Sequence, residues 1–350
     1  NPCPRCRGFR DVRGAVVAFP MRTDTRPLPR PSEKFQREIT ALVRYARTQS
    51  PFYRAKLEGV EHTCLTDMAS FARNVPLTRL EELIAQRIET GDPYSSRQSR
   101  RRDPVVTFQM EYPVEARLYM GLDSSDLQRY AHALSRCWRV LGLRRGDTVA
   151  IFDYGSSPLS YLASSLFTPY LRRGAADFLG CVPICNDGVP TMSSRAIQIL
   201  KFVRPRLMFA RADVLPPFVT EAQKRGFRLP GHVEALVVAE NEGMLPEEAR
   251  QGFERRLGVP VYRMGRVDAA MFLSVECPAC RFFHTWPDLY LVEILGDDPS
   301  VPRNPGQRGS LAITNRFARG WLSIRFMSQL EGSLAAGSCR RGPKDARLAL

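Results

Sequence analysis

The chain has 350 residues, of which 44% are hydrophobic and 25% are charged, and its formal net charge is +15 at pH 7. This composition is typical of a globular protein that buries a core without disulfides, and nine cysteines is an odd count that favours reduced thiols or metal ligation. No apolar run reaches about eighteen residues, and charged residues interrupt the first segment, so neither a membrane span nor a secretory leader is expected.

The positive charge comes mostly from arginines spread along the chain, with one dense run from Arg97 to Arg102. Nucleic-acid binders usually concentrate basic residues on one face and interleave them with stacking aromatic residues. That pattern is not present, so we expect no nucleic-acid partner and interpret the run as a solvated loop. Anionic substrates such as nucleotides or coenzyme A would suit the same sign of charge.

Residues 1–31 are rich in proline and arginine without apolar periodicity, which predicts an extended arm. From Ser32 onward apolar residues recur at helical spacing, and Pro51 is expected to end this first helix. A second helix is predicted from about Leu80 to Arg87, with Thr78 as its N-cap.

Strands and helices then alternate. The predicted strands include "PVVTFQM", "GDTVAIFDYG", "FLGCVPICN", "RLMFAR", "EALVVAE" and "VPVYRM". Between them lie a long amphipathic helix capped by Ser124 or Ser125, a helical "SYLASSLFTPYLRRGA", and helices over 192–203, 214–225 and 246–257. Repeated strand–helix units predict an α/β fold with a parallel sheet flanked by helices. Strands and turns predominate later, so we expect an α/β core over 32–270 and a smaller β-rich lobe over 271–350.

Several stretches resemble the adenylate-forming enzymes, in their phenylacetate–coenzyme A ligase branch. "LVRYARTQSPFYRAKL" resembles an early helix of that branch, and "YMGLDSSDLQRYAHALSRCWRVLGLRRGDTVAIFDYG" resembles the segment after its phosphate loop. "RRLGVPVYRMGRVDA" stands where the family has a "YGLTE"-like motif, and "PGQRGSLAITN…WLSIRF" resembles the stretch that ends in "RYRTGD". The resemblance spans residues 35–345. It implies the fold of an adenylate-forming N-terminal domain, in which a carboxylic acid and ATP give an acyl-adenylate that a thiol captures.

That chemistry first needs a Ser/Thr/Gly loop whose backbone amides hold the phosphates. The matching positions are Met110 to Glu115, "MEYPVE", which contain no glycine and two carboxylates. We therefore expect a degenerate ATP-binding loop. The family's acidic residue, which helps to hold a metal on the phosphates, falls on Asp268 when one deletion is allowed, and Gly265 matches the motif's glycine.

The family's ribose-binding aspartate and its mobile lysine are also in question. Leu330 takes the place of the aspartate, with Glu331 one residue late, whereas Arg325 matches the preserved arginine. The sequence ends before the mobile C-terminal domain that carries the lysine, so that domain is expected to be absent. Three of the four requirements are therefore not met, and the fourth depends on a loose alignment.

The stretch "VECPACRFFHTWPDLYLVEIL" offers Cys277, Cys280 and His284 at zinc-compatible spacing. Cys339 is the candidate for a fourth ligand, because the resemblance implies a Cys-rich turn at that point, which serves as a zinc site in some members of the family. Four protein ligands would make the zinc structural. The alternative is that the cysteines are reduced turn residues and the histidine is packed in the core.

Open α/β sheets bind ligands at the carboxyl ends of their strands. Tyr154, Gly155 and Ser156 follow a predicted strand and are pocket candidates, although a helix-capping turn would explain them as well. Asn186 and Tyr262 are expected at the same edge, with the apolar Phe152 and Met264 beside them to suit a flat or acyl ligand.

Two functions follow from these observations. The first is a divergent, cytoplasmic carboxylate-activating enzyme that handles an aryl or acyl acid by acyl-adenylate or thioester chemistry. The second is a catalytically silent relative that binds a small ligand or a partner protein. The expected partners are a small acid or its activated form, with no nucleic acid and no membrane, and a homodimer is possible. Use of ATP, AMP or coenzyme A stays open.

Overall fold

The computed structural model describes residues 33–61, 65–110, 112, 117–153, 157–341 and 347–350. The predicted arm over 1–31 lies outside these ranges. The helices of the described chain are α1 (Glu33–Gln49), α2 (Pro51–Lys56), α3 (Met68–Asn74), α4 (Leu80–Thr90), α5 (Ser124–Leu141), α6 (Pro158–Ala163), α7 (Ala175–Leu179), α8 (Ser193–Val203), α9 (Leu215–Lys224) and α10 (Glu247–Leu257). None of them has both the length and the apolar character that a membrane span requires.

The strands of the described chain are β1 (Val106–Gln109), β2 (Tyr119–Leu122), β3 (Thr148–Asp153), β4 (Val182–Asp187), β5 (Leu207–Ala210), β6 (Ala235–Asn241), β7 (Val261–Val267), β8 (Phe272–Glu276), β9 (Phe283–His284), β10 (Tyr290–Leu295), β11 (Gly309–Asn315), β12 (Phe326–Leu334) and β13 (Arg347–Ala349). Strands β1 and β2 form a small antiparallel sheet. The other described strands form one sheet in the order β10-β11-β12-β13-β9-β8-β7-β6-β5-β3-β4.

The sheet separates two hydrophobic cores. Strands β4, β3, β5, β6 and β7 are parallel neighbours, and their side chains alternate between the two faces. Val149 and Ile151 of β3 pack into the larger core with helix α5, whereas Ala150 and Phe152 pack into a second core with α8 and α9. The predicted α/β fold is therefore confirmed.

Strands β8 to β13, from the predicted β-rich lobe, continue the same sheet in antiparallel pairing. Strand β13 lies between β9 and β12. It pairs Arg347 with His284 on one side and Leu348 with Leu334 on the other. The predicted core over 32–270 and lobe over 271–350 therefore share one sheet. Their division into two folding units stays a proposal.

Two predicted helix caps are wrong. Helix α5 begins at Ser124, but its N-cap is Asp123, whose carboxylate accepts a hydrogen bond from the Asp126 N–H. Helix α4 has Arg79 at its N-cap position, and Glu82 in its first turn accepts from the Arg79 N–H at 2.8 Å, while the Thr78 hydroxyl donates to the Ile324 carbonyl oxygen. A carboxylate accepts hydrogen bonds from the first N–H groups of a helix as well as a hydroxyl does, so the aspartate and the glutamate were also candidates for the capping interactions.

Two predicted elements are shorter than expected. The segment "SYLASSLFTPYLRRGA" contains only the end of α6 and a short 3-10 turn over Ser165–Phe167 before α7 begins. The predicted strand "FLGCVPICN" starts as helix α7 and becomes a strand only at Val182, after Gly180 adopts a left-handed conformation with φ +71°. Glycine accepts this conformation without strain and ends the helix.

Candidate functional site

The four predicted metal ligands meet in the structure. The ligand atoms of Cys277, Cys280, His284 and Cys339 lie within 4.8 Å of one another, and we call these residues the Cys/His cluster. The first three flank the turn between β8 and β9, and Cys339 comes from the segment between β12 and β13. The backbone N–H of Ala279 donates to the Cys277 sulfur at 3.4 Å, which favours a thiolate there.

Two of the distances within the cluster match those expected around a tetrahedral zinc ion. The Sγ atoms of Cys277 and Cys339 are 3.8 Å apart, and Cys280 Sγ lies 3.5 Å from His284 Nε2. Zinc bonds of about 2.3 Å to sulfur and about 2.0 Å to nitrogen would place tetrahedral ligands about 3.8 Å and 3.5 Å apart. A disulfide needs sulfurs about 2.05 Å apart. The donor set therefore fits zinc, which it would enclose with four protein ligands and no open position.

The electrostatics of the cluster differ among its members. Burial raises the pKa of Cys277 to about 11. Burial also acts to raise the pKa of Cys339, but the Arg341 backbone N–H and the two other thiols outweigh it and lower that pKa. Burial, followed by the charge of Arg347, lowers the pKa of His284 and so favours the neutral ring that binds metals.

A buried ion network lies where β3 and β7 end. Arg266 is 0% exposed; its Nε lies 2.9 Å from Asp268 Oδ1 and its Nη1 lies 3.8 Å from Asp153 Oδ2. The Ser157 hydroxyl donates to Asp153 at 2.5 Å and accepts from Arg266 Nη1 at 3.3 Å. The single positive charge of Arg266 thus interacts with two carboxylates. The carboxylate of Asp268, which the resemblance assigns to a metal, already has a cation of the chain beside it.

The other predicted pocket residues do not converge. Asn186 on β4 and Gly265 on β7 are separated by β3, β5 and β6. Neighbouring strands lie about 4.8 Å apart, so these two residues are about 19 Å from each other. Tyr262 is the second residue of β7 and not at its end as predicted. Its ring faces the Arg281 guanidinium, 5.4 Å away, next to the Cys/His cluster.

The prediction that Phe152 and Met264 line one pocket is wrong. Phe152 is 1% exposed and belongs to the core packed under α8 and α9, whereas Met264 is 0% exposed and belongs to the core on the other face. The alternation of side chains along a strand places them on opposite sides of the sheet. Tyr154, Gly155 and Ser156 lie outside the described residues.

Arg325 is a buried arginine with several hydrogen-bond partners in the core. It is 2% exposed and forms an ion pair with Glu293, with Nη2 3.0 Å from Oε1. Its Nη1 donates to the carbonyl oxygens of Ala72 and Val75 at 2.6 and 2.5 Å. These contacts connect α3 to the antiparallel strands, so the structure places this arginine in the core instead of beside a ligand.

The stretch that matches the phosphate loop is described only at Met110 and Tyr112. Met110 is buried in the core. The Tyr112 hydroxyl donates to Glu242, which follows β6 and also accepts from the Gln329 backbone N–H at 2.9 Å. Burial is the main cause that raises the pKa of both Tyr112 and Glu242. Leu330, at the position of the family's aspartate, is a core residue with 4% exposure.

Sequence reasoning missed Arg97, Glu242 and Arg266. Arg97 was predicted to lie in a solvated loop, but it is 0% exposed, whereas Arg100 and Arg101 of the same run are exposed. Its side chain donates to main-chain carbonyl oxygens and packs on the Trp321 ring, 4.3 Å from the centroid. The arginine-rich run of six residues does not by itself show which side chain is buried, because burial depends on packing partners more than 200 residues away in the sequence.

No protein-family model matches the chain. Phenylacetate-coenzyme A ligase of Pseudomonas putida is 22% identical over 309 residues, which cover 85% of this chain and 65% of that enzyme. A solved structure of 2-hydroxyisobutyryl-CoA ligase, in an open conformation in complex with 2-HIB-AMP and CoA, matches with a TM-score of 0.76 at 18% identity. The match covers 90% of this chain and 67% of that one.

The same ligase in its postadenylation state, in complex with 2-HIB-AMP, gives a TM-score of 0.74 over 89% of this chain and 65% of that one. The structural matches, at 18% identity, show the fold. The chain spans 65% of the length of the curated relative. Together, the sequence match and the shared fold confirm the resemblance drawn from the motifs: this chain is similar to the phenylacetate–coenzyme A ligase branch of the adenylate-forming enzymes.

Proposed function

We propose that the chain is a divergent phenylacetate–CoA ligase-like protein that binds an aryl or acyl carboxylate, or its activated form. The observation that carries this proposal is the similarity to phenylacetate-coenzyme A ligase over 309 residues. The related ligase structures hold an acyl-adenylate and coenzyme A, which supports an acid or its adenylate as the ligand class here. Acyl-adenylate or thioester chemistry is the reaction this ligand class implies.

We further propose that the ATP-binding loop is degenerate. "MEYPVE" supplies no glycine and contains two carboxylates, and the Tyr112 hydroxyl donates to Glu242. Asp268 faces Arg266, which competes electrostatically with any divalent cation. These contacts favour the second candidate function, a catalytically silent relative that still binds a small aromatic or acyl ligand.

The Cys/His cluster supports a structural zinc in this proposal. Zinc would be held by Cys277, Cys280, His284 and Cys339, and it would supply no catalysis because all four positions are filled by the protein. Its effect would be to fix the segment before β13 against the turn before β9.

Two measurements separate an active ligase from a silent relative. Calorimetric titration with ATP, AMP and coenzyme A is expected to show ATP binding no tighter than AMP, because the loop has no glycine for close backbone approach and carries two carboxylates that repel the β- and γ-phosphates. ATP–pyrophosphate exchange over a panel of aryl acids is expected to stay at background. Robust exchange with any acid would overturn the degenerate loop, and calorimetric titration of the same acids that shows no binding would overturn the proposed ligand class.

A further inference from the structure

Arg97 is a buried cation without a counter-charge. Its guanidinium is 0% exposed, and no carboxylate in the described ranges forms an ion pair with it. The other buried guanidiniums of this region, Arg266 and Arg325, each face a carboxylate. Arg97 therefore differs from both.

The hydrogen bonds of Arg97 are made on one side only. Nε and Nη2 donate to the Leu322 carbonyl oxygen at 3.0 and 2.6 Å, and Nη2 also donates to the Ala269 carbonyl oxygen at 2.6 Å. Nη1 has no hydrogen-bond partner in the described structure, although it is buried. The carbonyl oxygens orient the guanidinium without neutralising its charge, so two N–H groups and one unit of positive charge remain for a ligand.

The position of Arg97 fits a binding residue. Ala269, its acceptor, follows β7 directly, so the guanidinium sits at the carboxyl end of the parallel strands, where open α/β sheets bind ligands. The ionisable side chains nearest to it are the phenols of Tyr53 and Tyr112, which are neutral at pH 7. Tyr112 belongs to the stretch that matches the phosphate loop, and the Trp321 ring covers the guanidinium.

A buried charge without a partner costs folding free energy, and replacing it with an apolar side chain is often neutral or stabilising. Arginine is well suited to recognise a carboxylate, because its planar N–H groups match the carboxylate oxygens. The surrounding aromatic side chains suit a flat acid. The charges of Glu242 and Asp268, which act on neighbouring Tyr112, disfavour a doubly charged phosphate at the same place.

We propose that Arg97 binds the carboxylate group of the aryl or acyl acid through its free Nη1. This inference rests on the proposed function, and it deepens that function by naming the residue that recognises the acid.

The test compares acids with their neutral amides. Phenylacetate and benzoate, and phenylacetamide and benzamide as uncharged partners, are titrated by calorimetry into the full chain and into Arg97→Met, Arg97→Lys and Arg101→Met. Arg101 is the matched control, because it lies in the same run but is exposed. We expect the wild type and Arg101→Met to bind at least one acid about tenfold or more tighter than its amide. We expect Arg97→Met to lose that preference while amide binding is unchanged.

A folded Arg97→Met protein that keeps the wild-type preference for the acid would overturn the inference and leave the proposed function standing. If Arg97→Met does not fold, Arg97→Lys decides, since it keeps the charge but not the planar geometry. Weaker acid binding with unchanged amide binding supports the inference, and equal acid binding overturns it. A wild type that binds none of the acids overturns the proposed function itself. Binding of AMP or inorganic phosphate that depends on Arg97, without acid binding, overturns the carboxylate assignment.

Discussion

Replacement of Cys339 by serine tests the Cys/His cluster most directly. Cys339 comes from a segment more than 50 residues along the chain from the other ligands, so it alone makes the site link two distant segments. A serine hydroxyl has nearly the same volume as the thiol but is a poor zinc ligand at neutral pH. The fold around the site should otherwise be preserved, because Cys339 is only half-buried.

The size of the effect follows from the number of ligands. Structural zinc sites bind with apparent free energies of about 10–16 kcal/mol, and one of four ligands carries on the order of a quarter of that, about 2.5–4 kcal/mol. Each 1.4 kcal/mol is about a tenfold change in affinity, so Cys339→Ser should weaken zinc binding by on the order of a hundred- to a thousandfold. The free energy of unfolding of the zinc-loaded protein should fall with it.

The assay is elemental analysis of protein purified without chelator, followed by competition with a chromophoric zinc chelator. The wild type should hold one equivalent of zinc. Cys185→Ser is the matched control, since Cys185 is also half-buried but lies on β4, away from the cluster. Less than about a tenth of an equivalent in the wild type would refute a zinc site. Equal zinc affinity in the Cys339→Ser and Cys185→Ser proteins would refute the role of Cys339.

Three further predictions concern stability, measured by chemical denaturation. Arg325→Met should lower the free energy of unfolding by about 3–5 kcal/mol because it leaves Glu293 buried without its partner, and a loss below about 1 kcal/mol would contradict this. Arg250 is the main cause that lowers the pKa of Glu247 to about 2 from its ordinary 4.5, so this carboxylate stabilises the fold above about pH 4.5 and loses its effect as the pH falls toward 2. Glu247→Gln should therefore be less stable than the wild type at neutral pH, by no more than about 1 kcal/mol since the side chain is 49% exposed. A stability difference that does not narrow as the pH is lowered from 6 toward 2 would count against the ion pair. Gly188→Ala should cost about 1–3 kcal/mol because a new Cβ would lie 2.6–2.7 Å from main-chain atoms of β3, and wild-type stability would show that the strands can separate there.

The strand–helix alternation and most of the Cys/His cluster could be predicted from the sequence because both are local patterns. Apolar residues at helical spacing identified α5, and the short spacing from Cys277 to His284 identified three ligands within one turn and the strand that follows it. Even Cys339 was found, since the resembled family has cysteines at that point.

The pocket could not be predicted in the same way, because it depends on strand order. The sequence does not show whether the strands that carry Asn186 and Gly265 are neighbours. In the sheet, three other strands lie between them. Burial is equally non-local. Arg97 is buried because its guanidinium packs on the Trp321 ring and donates to the Leu322 carbonyl oxygen. Both residues are far from Arg97 in the sequence, so no local pattern reveals these contacts.

Strand β13 gives the sheet an uneven resistance to local opening. Two residue pairs join it to β12 and two join it to β9, whereas β3 and β4 share six pairs. The ladder is therefore weakest where the antiparallel strands β10 to β12 meet the rest of the sheet, and segments with few ladder hydrogen bonds open at low free energy. The Cys/His cluster spans this same boundary, with Cys339 just before β13 and His284 on β9. Removal of the proposed zinc would let amide protons at Arg347–Ala349 exchange with solvent well before those in β3 and β5 do so.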